Sequence, residues 1–375
     1  MRRNLYNAAK TVAIVALFAA PGCCSFSGTT HNGPVSDHFD GDVFHNRNGA
    51  REMSLDELAE WRLTRDKSEW PDVIPGEPAD APPTRVKGDS LRVTFVNHAT
   101  VLFQTNGLNI LADPVWSDYV GPVELGSQPR RRPPGILFED LPPIDVVLIS
   151  HNHYDHMDMP TLKRLWDAHQ PLVVAPLGNH ALLYEEGIQK AIELDWGDRI
   201  PLTQEVFLEL TEAQHFSNRG MCDRNKTLWG GFVIDAPGGP IYFAGDTGFG
   251  EFFKDIAEEY APLRFAAIPI GAFRPREYME GIHVDPDEAL QAHVLLESRV
   301  SMGIHYNTFS LADDALGEPE AEARAAMERY GVPSDEFLLL PNGGSVWVAP
   351  IDGAERTIAI GATIKGERKA NARTP

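Results

Sequence analysis

The sequence predicts an α/β fold in which two β-sheets pack face to face and helices cover their outer sides. Three observations point there. Short runs rich in Val, Ile and Phe recur between Gly, Pro and Asp, as buried strands do. Amphipathic helical stretches follow β-rich halves of the chain, an order that suggests a sheet-on-sheet core with outer helices. A chain of 375 residues with 43% hydrophobic content can bury a sizeable core.

Taken in order, "SLDELAEWRL" begins with Ser54 and Glu57 in a capping-box arrangement and predicts a short helix. The Pro-rich "EWPDVIPGEPADAPP" after it can neither continue a helix nor form a central strand, so it should run extended over the surface. "LRVTFVNHATVLFQT" and "LNILADP" flank Asn106-Gly107, a hairpin signal. "IDVVLIS" and "PLVVAP" predict buried strands around an amphipathic helix, "PTLKRLWDAH", with Pro160 in its first turn. "VFLEL", "GFVIDA", "PIYFAGD" and "FAAIPIG" add strands. "DPDEALQAHVLLE" opens with an Asp cap and Pro, and "EPEAEARAAMERYG" closes on a Gly suited to a C-cap. No repeat of fixed period and no low-complexity tract interrupts this order.

The amino end follows a different logic. "MRRNLYNAAK" is positively charged and "TVAIVALFAA" is apolar for about ten residues, the pattern of an export signal. That run falls well short of the ~20 apolar residues that cross a bilayer. "APGC" resembles a lipoprotein cleavage box, which makes Cys23 a candidate for acylation, although Ala20 and Pro21 depart from the usual pattern. The expected organisation is a signal peptide at 1–22, a tether and extended segment at 23–87, a catalytic domain at 88–352 and a tail at 353–375. The mature protein is then periplasmic or held at the cell envelope by its lipid anchor. Little order is expected over residues 25–50, which are rich in Ser, Gly, Asn and Asp without periodicity. Three cysteines exclude a disulfide framework; Cys24 could pair with Cys222, but an idle Cys222 is the simpler expectation. A formal charge of −21 argues against nucleic acid as a partner.

The chemistry concentrates in "HNHYDH", directly after "IDVVLIS". Imidazoles and carboxylates packed at the end of a buried strand are costly unless something neutralises and orients them, and a divalent metal does both. His151 and His153 fall on one side of an extended turn, while Asp155 and His156 face another direction, so one motif can feed two neighbouring ions. More ligands are then required, and His215, Asp246 and His305 stand at the ends of later strand-like runs. An all-nitrogen-and-oxygen set suits two Zn²⁺ best, with Fe or Mn also compatible. Two such ions lower the pKa of a shared water and need no Ser or Cys nucleophile. Asp113 is a candidate outer partner for a ligand His or simply a turn residue. His98 reads equally as a backbone cap, and His169, His180 and His293 read as surface histidines.

These residues resemble the metallo-β-lactamase superfamily, whose HxHxDH motif, downstream His, bridging Asp and terminal His occur in this order. The resemblance implies a four-layer αββα fold. It implies that His151, His153 and His215 hold one ion, that Asp155, His156 and His305 hold the other, and that Asp246 bridges them. "AQHFSNRGMCDRNKTLWGGFVI", "FAGDTGFG", "AAIPIGAFRPREYM", "HVDPDEAL" and "SMGIHYNTF" narrow it to the N-acyl-phosphatidylethanolamine-hydrolysing phospholipase D branch. The resemblance runs from about residue 70 to 350. It implies a phospholipid substrate cleaved to phosphatidic acid and an N-acylethanolamine, with Asp155 orienting the attacking oxygen and His283 touching the phosphate or protonating the leaving group. Arg274 and Arg276 read either as lipid head-group contacts or as charges on an exposed loop. Relatives in this branch suggest a homodimer. A lactonase or small phosphoester hydrolase would use the same fold and metals, and a noncatalytic metal-holding surface lipoprotein is the reading from another class.

Overall fold

The computed structural model describes residues 28–47, 49, 55–65 and 67–351. The expected signal peptide, Cys23, Ser54 and the tail at 353–375 lie outside the described residues. Between them the chain forms two seven-stranded sheets and a two-stranded ribbon.

The first sheet contains β1 (Leu91–Asn97), β2 (Thr100–Thr105), β3 (Leu108–Ala112), β6 (Val146–Leu148), β7 (Leu172–Pro176), β8 (Ala191–Leu194) and β16 (Ser345–Val348), in the order β16-β1-β2-β3-β6-β7-β8. The second contains β9 (Arg199–Pro201), β10 (Phe207–Thr211), β11 (Gly231–Asp235), β12 (Ile241–Phe243), β13 (Phe265–Pro269), β14 (Ser301–Ile304) and β15 (Phe337–Leu338), in the order β15-β14-β13-β12-β11-β10-β9. Each sheet is antiparallel on one side and parallel on the other. Parallel neighbours need crossovers, and helices supply most of them. The helices are α1 (Leu55–Thr64), α2 (Met159–His169), α3 (His180–Glu185), α4 (Phe252–Tyr260), α5 (Arg276–Met279), α6 (Pro286–Leu295) and α7 (Glu318–Tyr330). The ribbon is β4 (Tyr119–Val120) with β5 (Gln128–Pro129).

Alternation along β2 shows how the layers form. Val101 and Phe103 face the second sheet, where Phe103 meets Phe243 and Phe265 edge-on at 6.4 and 6.1 Å. Leu102 faces the other way, into a cluster with Leu162 and Leu165 of α2. Each such fully buried side chain contributes roughly 1.5–3 kcal/mol relative to exposure. The hairpin forms at Asn106 and Gly107, both at positive φ, with Thr105 opposite Leu108. Asp285 and Glu288 complete a reciprocal capping box on α6, and Gly331 closes α7 in the left-handed region. No helix among the described residues is long and apolar enough to cross a membrane.

The amino-terminal segment departs from the expected loose tether. Residues 28–47 form a strap on the domain, with His31 N–H donating to the Lys226 carbonyl and Phe44 N–H to that of Asn225. Phe39 and Phe44 are buried in the main core. Two apolar anchors outweigh a polar composition that carries no periodicity. Cys222 also departs from expectation: it is exposed and disulfide-bonded rather than idle.

His38 makes the strap's hold depend on pH. Its ring stacks on Trp196 at 4.5 Å and sits 2.7 Å from both Asp37 and Asp195. Burial disfavours its charge, yet the hydrogen bonds to Asp195 and Asp37 prevail and raise its pKa above 6.5. A raised folded-state pKa gives stability that is full below the unfolded value and is lost as pH rises through the folded one. Thermal unfolding followed from roughly pH 6 to roughly pH 9 should therefore show a fall in stability that His38→Gln reduces. An unchanged pH dependence in that variant would exclude His38 as its source.

Candidate metal centre

The candidate ligands stand on loops that leave the strands. His151, His153, Asp155 and His156 follow β6, His215 follows β10, Asp246 follows β12 and His305 follows β14. His98 occupies the turn between β1 and β2, and Asp113 follows β3. His98, Asp113, Ala272, His305 and Asn307 all hold positive φ without being glycine. Such backbone conformations cost ~1–3 kcal/mol each and persist where the surroundings over-determine them.

Two groups of donor atoms result. His153 Nδ1 lies 2.7 Å from His151 Nε2 and 3.4 Å from His215 Nε2. Asp155 Oδ2 lies 3.3 Å from both His156 Nε2 and His305 Nε2. Asp246 stands between the groups: its Oδ2 is 3.1 Å from His156 and from His305, 3.8 Å from His215 and 4.0 Å from His151.

Outer hydrogen bonds decide what these atoms can do. His156 Nδ1 is 2.6 Å from Asp113 Oδ2, His215 Nδ1 is 2.8 Å from the Ile282 carbonyl, and His153 Nε2 is 2.9 Å from Asn218 Oδ1. Ser150 donates its hydroxyl to Asp113 and therefore accepts from His151 Nδ1 at 2.9 Å. Each ring spends one N–H on its outer partner, so in the neutral ring the opposite nitrogen presents a lone pair to the shared interior, and at His156 a cation would take the place of the proton. Bare lone pairs converging at these distances fit divalent cations, as does the donor set of imidazole and carboxylate. His156 Nε2 and Asp246 Oδ1 are buried without a hydrogen bond, as ligand atoms awaiting a cation would be.

The electrostatics agree. Burial drives His151 and His215 well below the ordinary imidazole value and His153 to about 4, so these rings stay neutral and able to ligate. Burial opposes the charge of Asp155 and Asp246, but the imidazoles around them hold both well below the carboxylate range. The same negative field overcomes burial at His305, raising it to about 9 chiefly through Asp246, and raises His156 as well. A field that binds protons this strongly also attracts a divalent cation.

The structure decides His98, which in sequence reads equally as an outer partner or a backbone cap, for the site. Its Nε2 lies 2.9 Å from Asp155 Oδ2, and its carbonyl accepts from His305 N–H at 2.7 Å, so it fixes two candidate ligands at once. His283 lies beside the cluster, its ring 5.1 Å from His215 and 5.5 Å from His305. Arg274 and Arg276 do not face the cluster. Arg274 pairs with Glu318 and Glu322, and Arg276 reaches Glu288 at 2.8 Å and the His283 carbonyl at 2.8 Å. Nearby carboxylates on α6 and α7 have claimed both guanidinium groups, which ties down the segment that carries His283. His293, expected at the surface, is buried with Nδ1 2.8 Å from Ser301 Oγ. His180 is exposed and His169 half-buried.

The β-lactamase superfamily domain matches residues 108–306. The chain belongs to the metallo-β-lactamase superfamily. Within that superfamily it is 34% identical over 270 residues to N-acyl-phosphatidylethanolamine-hydrolyzing phospholipase D 1 of Caenorhabditis elegans, covering 69% of this chain and 76% of that one. It is 31% identical over 227 residues to a metal-dependent hydrolase of Pyrobaculum islandicum, covering 59% of this chain and 86% of that one. Among solved structures, Igni18, a metallo hydrolase from Ignicoccus hospitalis, superposes with a TM-score of 0.51 at 24% identity, covering 69% of this chain and 98% of that one, and shares the fold. The protein is a metal-dependent hydrolase of this superfamily, with a His and Asp cluster able to bind metal.

Proposed function

We propose that the chain is a dinuclear zinc hydrolase of the phospholipase D type, cleaving N-acyl-phosphatidylethanolamine or a related phospholipid to phosphatidic acid and an N-acylethanolamine. The observation that carries the dinuclear reading is Asp246 Oδ2, within 4.0 Å of ligand nitrogens from both groups. His151, His153 and His215 would hold one ion, Asp155, His156 and His305 the other, with Asp246 shared. When bound, the ions supply Lewis-acid polarisation of phosphoryl oxygens and make water a nucleophile near neutral pH.

The chain's own residues do the rest. Asp155, fixed by His98, is placed to accept a hydrogen bond from the attacking water and to set its approach to phosphorus. Burial lowers the His283 pKa to about 4, so this ring is neutral and acts as a hydrogen-bond donor to a phosphoryl oxygen rather than as an acid. Beside the motif loop lies a cleft of about 590 Å³ whose lining includes Trp116, Tyr119, Tyr154 and Leu182. Its apolar side chains suit an acyl chain. The C. elegans relative's name supports the same substrate class. Export with acylation at Cys23 would hold the protein at the cell envelope, on the membrane that carries such lipids, and association as a homodimer belongs to the same reading.

The test is product analysis. Metal-replete protein given vesicles of N-acyl-phosphatidylethanolamine should release N-acylethanolamine and leave phosphatidic acid, identified by mass. Hydrolysis of a lactone panel with no phosphatidic acid would move the chain to the lactonases. Full metal content with no hydrolysis at all would favour a metal-holding surface protein.

A further inference from the structure

The connection from β10 to β11, residues 212–230, contains no strand or helix, yet it carries His215. A metal ligand on irregular backbone needs its main chain held by something other than a sheet ladder. Among the described residues, the His215 N–H and carbonyl have one partner, the Asn46 side chain. Asn46 Nδ2 donates to the His215 carbonyl at 2.8 Å, and Asn46 Oδ1 accepts from the His215 N–H at 3.1 Å. Trp229 Nε1 also donates to Asn46 Oδ1 at 3.2 Å, so only one orientation of the amide satisfies all three contacts. The strap is fixed on both sides of this point. Phe44 is buried, His45 N–H bonds the His38 carbonyl, and Arg47 reaches Glu212 at 3.1 Å, three residues before His215.

We infer that Asn46 is a positioning residue of the metal centre, making the amino-terminal strap part of the site rather than a spacer. The strap holds the His215 backbone while the Ile282 carbonyl holds its ring, and together they aim Nε2 at Asp246 and His153. The inference rests on the reading of His215 as a metal ligand.

The experiment uses the full mature chain loaded with Co²⁺, whose absorption bands report ligand geometry. Asn46→Ala should weaken metal retention against a chelator by about 10–100-fold, the usual effect of losing an outer partner of a ligand, and should change the cobalt spectrum. Asn46→Asp keeps the two accepted bonds and should recover part of that loss; it carries the test if the alanine variant does not fold. Asp42→Ala, which cuts the strap's contact with Lys226 away from His215, should retain cobalt as the wild type does. Wild-type retention and spectrum in a folded Asn46→Ala would overturn the inference, and so would equal losses in Asn46→Ala and Asp42→Ala, since strap docking alone would then suffice. A wild type that binds no cobalt would remove the metal-ligand reading itself.

Discussion

Asp246→Asn should weaken metal retention and hydrolysis together. The wild-type carboxylate is almost fully buried, and one of its oxygens approaches ring nitrogens from both ligand groups. An asparagine of the same shape keeps the packing but removes the negative charge and replaces one acceptor oxygen with an N–H₂ donor. Either the amide nitrogen faces the imidazole lone pairs or the remaining oxygen serves them as a much weaker ligand. Breaking a buried charge cluster by removing one partner costs about 3–5 kcal/mol. At ~1.4 kcal/mol per factor of ten, metal affinity and kcat/KM should fall at least about a hundredfold. Metal analysis after dialysis, alongside turnover on N-acyl-phosphatidylethanolamine, makes the measurement. Full metal content with wild-type turnover would reject the shared-ligand position of Asp246.

What the sequence shows of this site depends on how local each signal is. "HNHYDH" puts several ligand side chains into one short stretch, so spacing alone exposes it. Asp246 and His305 each follow an apolar run, and strand ends are legible from the change of composition. His98 was less legible because its significance lies in Asp155, 57 positions away. The strap is hard to read for a similar reason: Phe39 and Phe44 give no periodicity, and the groups that fix the strap, Asp195, Trp196, Asn225 and Lys226, lie far along the chain. Arg274 and Arg276 look free in sequence because Glu318, Glu322 and Glu288 reach them from separate helices. His293 has no partner nearby in sequence, but Ser301 on β14 gives its ring a buried one. The layered fold survives these misreadings because alternation along strands such as β2 is a local property that sets both faces of the sheet.

Asp113→Asn should weaken metal binding at His156 while leaving the fold assembled. Asp113 is fully buried, and its two oxygens serve different donors. Oδ1 accepts from Ser150 N–H at 2.7 Å, and Oδ2 accepts from the Ser150 hydroxyl and from His156 Nδ1, each at 2.6 Å. An asparagine offers one acceptor oxygen and one donor nitrogen, so in either orientation a buried donor faces a donor, at a cost of ~1–3 kcal/mol. If the oxygen stays with Ser150 N–H, His156 must move its proton to Nε2, the nitrogen aimed at Asp246, and it can no longer ligate there. If the oxygen turns to His156, it also keeps the Ser150 hydroxyl, but the Ser150 N–H then faces the amide nitrogen, a buried donor against a donor directly before His151. The first route damages the ligand set through protonation, the second through the backbone that carries His151. The expected loss is about 10–100-fold in metal affinity, with circular dichroism close to wild type. Asp113→Glu would not repair it, because the site is closed around the shorter side chain. Chelator competition on Asp113→Asn decides the matter: wild-type affinity would show that His156 keeps its ligating tautomer without the carboxylate, and the proton arrangement inferred for the whole cluster would fail with it.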